Sequence, residues 1–285
     1  MTISLLVALG IGLGTVGAAG AQDADARYRE LLREDDALSA RAEQQESDAV
    51  SARLRRLDAK YRAFLREHPR HVRAMIAYGS FLYDRHRQEE AVKWWEKAIA
   101  TDPRAAQAYN NLANHFAHGG RAGDALRYYE RAFELDPAEP MFRFNWATTC
   151  VLFRTDVRQV YGWDDDEIFR RGLAQFRKAR ELAPGDFQFS NAYAETFYMM
   201  KKPDWAEAHA AWEFCLEQPL AGEQRQRVFS HLARASMHLA RYHEAKSWIE
   251  KMTADDIQPL RRTLEQRLAE LTAARSSNAG VDGKR

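Results

Sequence analysis

Two histidines, His115 and His118, stand three residues apart in an apolar helical pattern, a spacing at which both imidazoles can reach one metal ion. No Cys, Asp or Glu lies directly beside them to complete a coordination shell, so the pair predicts no metal. The run Asp164-Asp165-Asp166-Glu167 invites a calcium reading, yet the glycine and ligand order of a calcium loop is missing. Asp164 with Glu167 three residues on has instead the form of a capping box, where carboxylates belong at a helix start. His68 and His71 flank Pro69 in a turn and read as solvated. Cys150 and Cys215 lie among apolar residues, where a thiol behaves as a small hydrophobe. The sequence holds no HExxH, no GxSxG elbow, no P-loop and no dinucleotide glycine motif after a strand. No catalytic residue and no cofactor are assigned.

The elements that position these residues are helices. Of 285 residues 46% are hydrophobic and 29% charged, a balance that supports a packed core. Lys and Arg number 42 against 41 Asp and Glu, which gives no overall field to draw the chain to nucleic acid or an anionic membrane. Residues 3–21 carry no charge, and Ala19-Gly20-Ala21 has the small-residue form cut by a signal peptidase. The segment 1–21 is therefore expected to be an export signal, with an amino-terminal membrane anchor as the alternative. The expected location is periplasmic or secreted, and membrane contact is expected only if that segment is uncleaved.

The rest of the chain shows amphipathic helical stretches and a period. Gly79, Ala91, Trp95, Ala98 and Pro103 recur 34 residues later as Ala113, Ala125, Tyr129, Ala132 and Pro137. Small residues let two antiparallel helices approach, an aromatic one turn away fills the space beside them, and proline ends the unit. Phe176, Ala179 and Pro184 repeat the second-helix spacing once more. Each hairpin alone leaves an apolar face open, so the hairpins must stack.

On these residues the chain resembles the tetratricopeptide repeat family, most clearly from Val72 to Asp136. The resemblance implies an all-α fold, a right-handed superhelical solenoid of antiparallel helix hairpins. The expected layout has a degenerate helical unit at 22–71 and repeats at 72–105, 106–139, 140–186, 187–222 and 226–255. A capping helix at 256–274 and a disordered tail at 275–285 complete it. The unit at 140–186 carries an insertion at 154–167, read as a long loop.

In such a solenoid the first helices line a trough, and Asn111 and Asn145, 34 residues apart, occupy equivalent points on it. An amide both donates and accepts, so it can hold a peptide backbone; the alternative is an amide bonded within its own repeat. Arg73, Tyr83, Asn114 and Tyr198 are expected on the same side. Tyr161 and Trp163 are read either as anchors of a recognition loop or as a cover over the widened hairpin. The expected function is a non-catalytic scaffold of the cell envelope that binds a peptide or partner protein. The alternative is an enzyme, or an accessory module of one, acting on envelope material.

Overall fold

The computed structural model describes residues 12–42 and 48–282. Residues 1–11 of the expected export segment lie outside the described residues; from Gly12 onward that segment belongs to the first helix. Among the described residues there is no strand, and no helix is long and apolar enough to cross a membrane. The fold is all-α. The chain divides into two compact units that meet within one helix, the first ending at His115 and the second starting at Phe116.

In the first unit α1 (Gly12–Ala42) and α2 (Asp48–Glu67) run antiparallel, since Arg27 pairs with Glu67 at 2.8 Å and Lys60 with Glu34 at 2.5 Å. Those pairs are solvated and contribute little. The hairpin is held by the apolar stripe of α2, in which Leu57, Tyr61 and Phe64 are buried at the spacing read from sequence. Tyr61 also donates to Asp35 at 2.9 Å and stacks on Tyr78, with ring centroids 5.3 Å apart. Tyr78 belongs to α3 (Val72–Tyr83), which begins at a His71 cap: Nδ1 accepts from the Ala74 amide at 3.1 Å. α4 (Gln88–Thr101) returns along α3, and α5 (Ala106–His118) follows after Pro103.

The second unit contains α6 (Ala122–Leu135), then α7 (Pro140–Leu152) packed against α9 (Asp165–Leu182). α10 (Phe187–Thr196), prolonged by a 3-10 turn at Phe197–Met199, pairs with α11 (Trp205–Leu216). α12 (Gly222–His238) pairs with α13 (Tyr242–Glu250). The last helix, α14 (Gln258–Asp282), seals that hairpin: Leu264 and the preceding Ile257 join Ala233, Met237, Ala245 and Ile249 in one buried cluster. α14 continues past residue 275, so the disordered tail expected there is helical as far as Asp282; residues 283–285 lie outside the described residues.

The repeat positions are buried as their sizes require. Gly79, Ala91, Trp95 and Ala98, their counterparts Ala113, Ala125, Tyr129 and Ala132, and Phe176 with Ala179 all lie in the interior. Pro103 and Pro137 follow Asp102 and Asp136, whose carboxylates accept from the amides of Arg104 and Ala138, closing each turn after the helix. Pro184 plays the same part after Ala183, the last cap of α9.

Three hairpins turn in one way. His86, Gly120 and Ala240 adopt φ of 58°, 72° and 56°. Each stands seven residues after a small contact residue, namely Gly79, Ala113 and Ala233. The next amide then donates back across the turn, Arg87 to Leu82, Arg121 to Phe116 and Arg241 to Ser236. That is the left-handed helix stop, which satisfies carbonyls the helix end leaves open.

The insertion corrects the sequence reading. Residues 154–161 are a helix, α8 (Arg154–Tyr161), rather than loop, stopped by Gly162 at φ 68°. The physical reason is a short amphipathic pattern: Phe153, Val157 and Tyr161 recur every four residues, and Val157 is fully buried. α8 packs on both α6 and α9.

Candidate peptide-binding face

Within the second unit the first helices of successive hairpins stand side by side. Phe144 of α7 meets Phe189 of α10 with centroids 5.2 Å apart, and Tyr198, just beyond α10, meets His231 of α12 at 5.3 Å. Asn145 is half-buried on α7 in this row. Leu152 and Met199 are 62% and 41% exposed, although both are large and apolar. Both lie five residues after the small contact residue of their helix, Ala147 and Ala194. The row therefore carries amide, aromatic and apolar groups on one run of helices, which suits an extended chain with its own mixture of groups.

Tyr198 is fixed rather than loose. Its hydroxyl donates to the His231 carbonyl at 3.3 Å and lies 3.2 Å from His231 Nδ1. The His231 ring in turn lies flat on Trp212 at 4.0 Å. Burial, aided by Arg234 and Arg227, pushes the His231 imidazole down to about 4, and burial pushes the Tyr198 phenol up to about 12. The Trp205 and His238 rings stack in parallel at 3.7 Å beside them.

In the first unit Asn111 is buried, and its amide is engaged at both ends: Nδ2 donates to Ser80 at 3.1 Å and Oδ1 accepts from Gln107 at 2.9 Å. Arg73 pairs with Asp25 of α1 at 2.6 Å. Tyr83 leans on Trp95 at 5.4 Å and meets His115 edge-on at 6.0 Å. Asn114 is half-buried on α5.

Tyr161 and Trp163 come together at the end of α8, stacked with centroids 4.5 Å apart. Trp163 also faces Trp146 at 6.5 Å and carries the Arg171 guanidinium 4.2 Å from its ring centre. Both rings are half-buried in this arrangement, the cover geometry of the two readings. Asp164 caps α9 by accepting from the Glu167 amide at 2.8 Å. Glu167 does not return the bond but pairs with Arg170 and Arg171.

Burial pushes the thiols of Cys150 and Cys215 up to about 12. Among the described residues one group of three could hold a metal ion: His209, Glu213 and Glu244. Glu213 lies 3.3 Å from Nδ1 and Glu244 3.0 Å from Nε2. The two carboxylates approach different nitrogens of one ring, and the three ligand atoms lie within 4.8 Å of one another. Sequence reading missed Leu152, Met199 and Arg234; the five-residue offset from the small contact position marks the first two.

A family model for TPR repeats matches residues 79–119, and one for the tetratricopeptide repeat matches residues 106–139. No curated protein matches the chain. Among solved structures, YrrB, described as a TPR protein with an unusual peptide-binding site, shares 18% identity at a TM-score of 0.53, over 70% of this chain and 92% of its own. PilF of Pseudomonas aeruginosa shares 15% at a TM-score of 0.59, over 87% of this chain and 99% of its own. PilW, described as a widely conserved type IV pilus biogenesis factor, shares 11% at 0.54, over 84% and 98%. These likenesses are of fold. Residues 79–139 thus match tetratricopeptide repeat models, and the chain shares its fold with tetratricopeptide repeat proteins.

Proposed function

We propose that the chain is a non-catalytic scaffold that binds an extended peptide or a segment of a partner protein along its first helices. The observation that carries this reading is the continuous row of α7, α10 and α12, with Asn145, Leu152, Tyr198 and Met199 along it. Exposed leucine and methionine at the same slot of two repeats are costly to leave in water and are matched by apolar side chains of a ligand. The peptide-binding site named for YrrB supports the same use of this fold.

We place the protein in the cell envelope, on the strength of the charge-free segment 3–21 and its Ala19-Gly20-Ala21 ending. Fractionation with amino-terminal sequencing tests that: a mature chain starting at Gln22 supports it, and an intact chain in the cytosol sinks it.

Photo-crosslinking tests the binding role. A benzoylphenylalanine at position 145 or 199 is expected to trap a defined partner in the native cell, whereas one at Lys178, exposed on a second helix, is not. Equal trapping at all three positions, or none, defeats the reading.

A further inference from the structure

We propose that α12 recognises an acidic segment of the bound peptide through Arg234, with the segment's apolar residues lying on Met199 and Leu152. This deepens the peptide-binding reading and rests on it. Arg227, His231, Arg234 and His238 follow one another at steps of four, three and four residues, which is one face of a helix. The Arg234 guanidinium lies over the Tyr198 ring, 4.7 Å from its centre, and is exposed. Among the described residues it makes no ion pair, in contrast to Arg227, which is held by Glu223 at 2.6 Å. A guanidinium already stacked on a ring has lost much of its freedom, and its fork of donors fits a carboxylate at both oxygens.

The surroundings favour an incoming negative charge. Arg234 acts on Tyr198, His231 and His238 together, and Arg267 of α14 adds to it at His238. Glu195 of α10 is the one carboxylate that also acts on Tyr198, and it makes no ion pair with Arg234 among the described residues. Arg267 is itself partnered by Glu270 at 3.2 Å, whereas Arg234 has no ion-pair partner among the described residues. A peptide rather than a nucleic acid fits, because Met199, next in sequence to the Tyr198 ring under Arg234, and Leu152 of α7 are large, apolar and exposed.

The test uses the full chain and a fluorescein-labelled peptide of glutamate, leucine and serine, with a counterpart carrying glutamine at each glutamate, followed by anisotropy. The glutamate peptide is expected to bind at least about tenfold tighter, and more so at low salt. Arg234→Gln should remove that difference while leaving the glutamine peptide's affinity unchanged. Arg53→Gln, on the exposed side of α2, should leave both unchanged. Equal binding of the two peptides, or an Arg234→Gln chain that still prefers glutamate, overturns the acidic preference and leaves the scaffold reading standing. Absence of binding by either peptide also overturns it, and trapping at position 145 then decides separately whether the scaffold reading survives.

Discussion

Trp95 lies so close to the backbone of Gly79 that a Cβ added there would stand 2.6 Å from Cδ1 and 3.0 Å from Cε2 of the indole. The ring has little freedom to yield, because its Nε1 donates to the Ile76 carbonyl at 3.2 Å and the side chain is buried. Gly79→Leu must therefore part α3 from α4, and Trp95→Ala must leave a hole between them. Each should lower stability by on the order of 2 to 5 kcal/mol in urea unfolding. A neutral result for either would mean that the two helices do not meet at this pair.

Ala240 holds a left-handed conformation that Gly120 holds at the equivalent place without a side chain. Ala240→Gly should raise stability by about 0.5 to 1 kcal/mol, since relief of strain outweighs the added freedom of the unfolded chain. Gly120→Ala should lower it by a similar amount. Thermal unfolding of the two variants, measured side by side, should show midpoints moving in opposite directions.

Much of this fold is legible in the sequence because one helix pair imposes the same size demand at the same place in each unit. Gly79 and Ala113 announce a close approach, and Trp95 and Tyr129 announce the volume beside it. The turn is legible at Gly120 but not at His86 or Ala240, where packing of the hairpin overrides the residue's own preference. α8 escaped because Phe153, Val157 and Tyr161 span barely two turns, too short a run for periodicity to declare itself. The candidate face was legible at Asn145 and Tyr198, which share a slot pattern with the repeats. The stacking of Arg234 on Tyr198 and of Trp205 on His238 joins residues 36 and 33 positions apart through tertiary packing, which no local pattern reports.

Trp163 separates two roles for the α8 insertion. Stacked on Tyr161 and facing Trp146, it covers apolar surface in the second unit. Trp163→Ala should destabilise the chain by about 1 to 3 kcal/mol. Full stability combined with loss of partner trapping at position 145 would assign it to recognition instead.

The two cysteines should be inert in the native chain. Burial raises both thiols to about 12, so almost no thiolate is present at neutral pH and no reagent reaches it. Ellman's reagent should label neither residue before denaturant and both after it. Rapid labelling of either in the native chain would show that its hairpin opens.

His231 gives a pH dependence whose sign follows from its surroundings. Burial between Trp212 and Tyr198, with Arg234 and Arg227 adding repulsion, lowers its pKa from 6.5 to about 4. Between those values the unfolded chain binds the proton and the folded chain does not, so this contribution to stability is complete above pH 6.5 and is lost as the pH falls towards 4. The full loss is about 3 kcal/mol at most, and His238, also lowered by burial first and by Arg234 second, adds in the same direction. His231→Phe keeps a flat ring against Trp212 but removes the proton site. Its unfolding free energy should fall less steeply than that of the native chain between pH 6.5 and 4, and identical slopes would show that His231 accepts its proton without opposition from the fold.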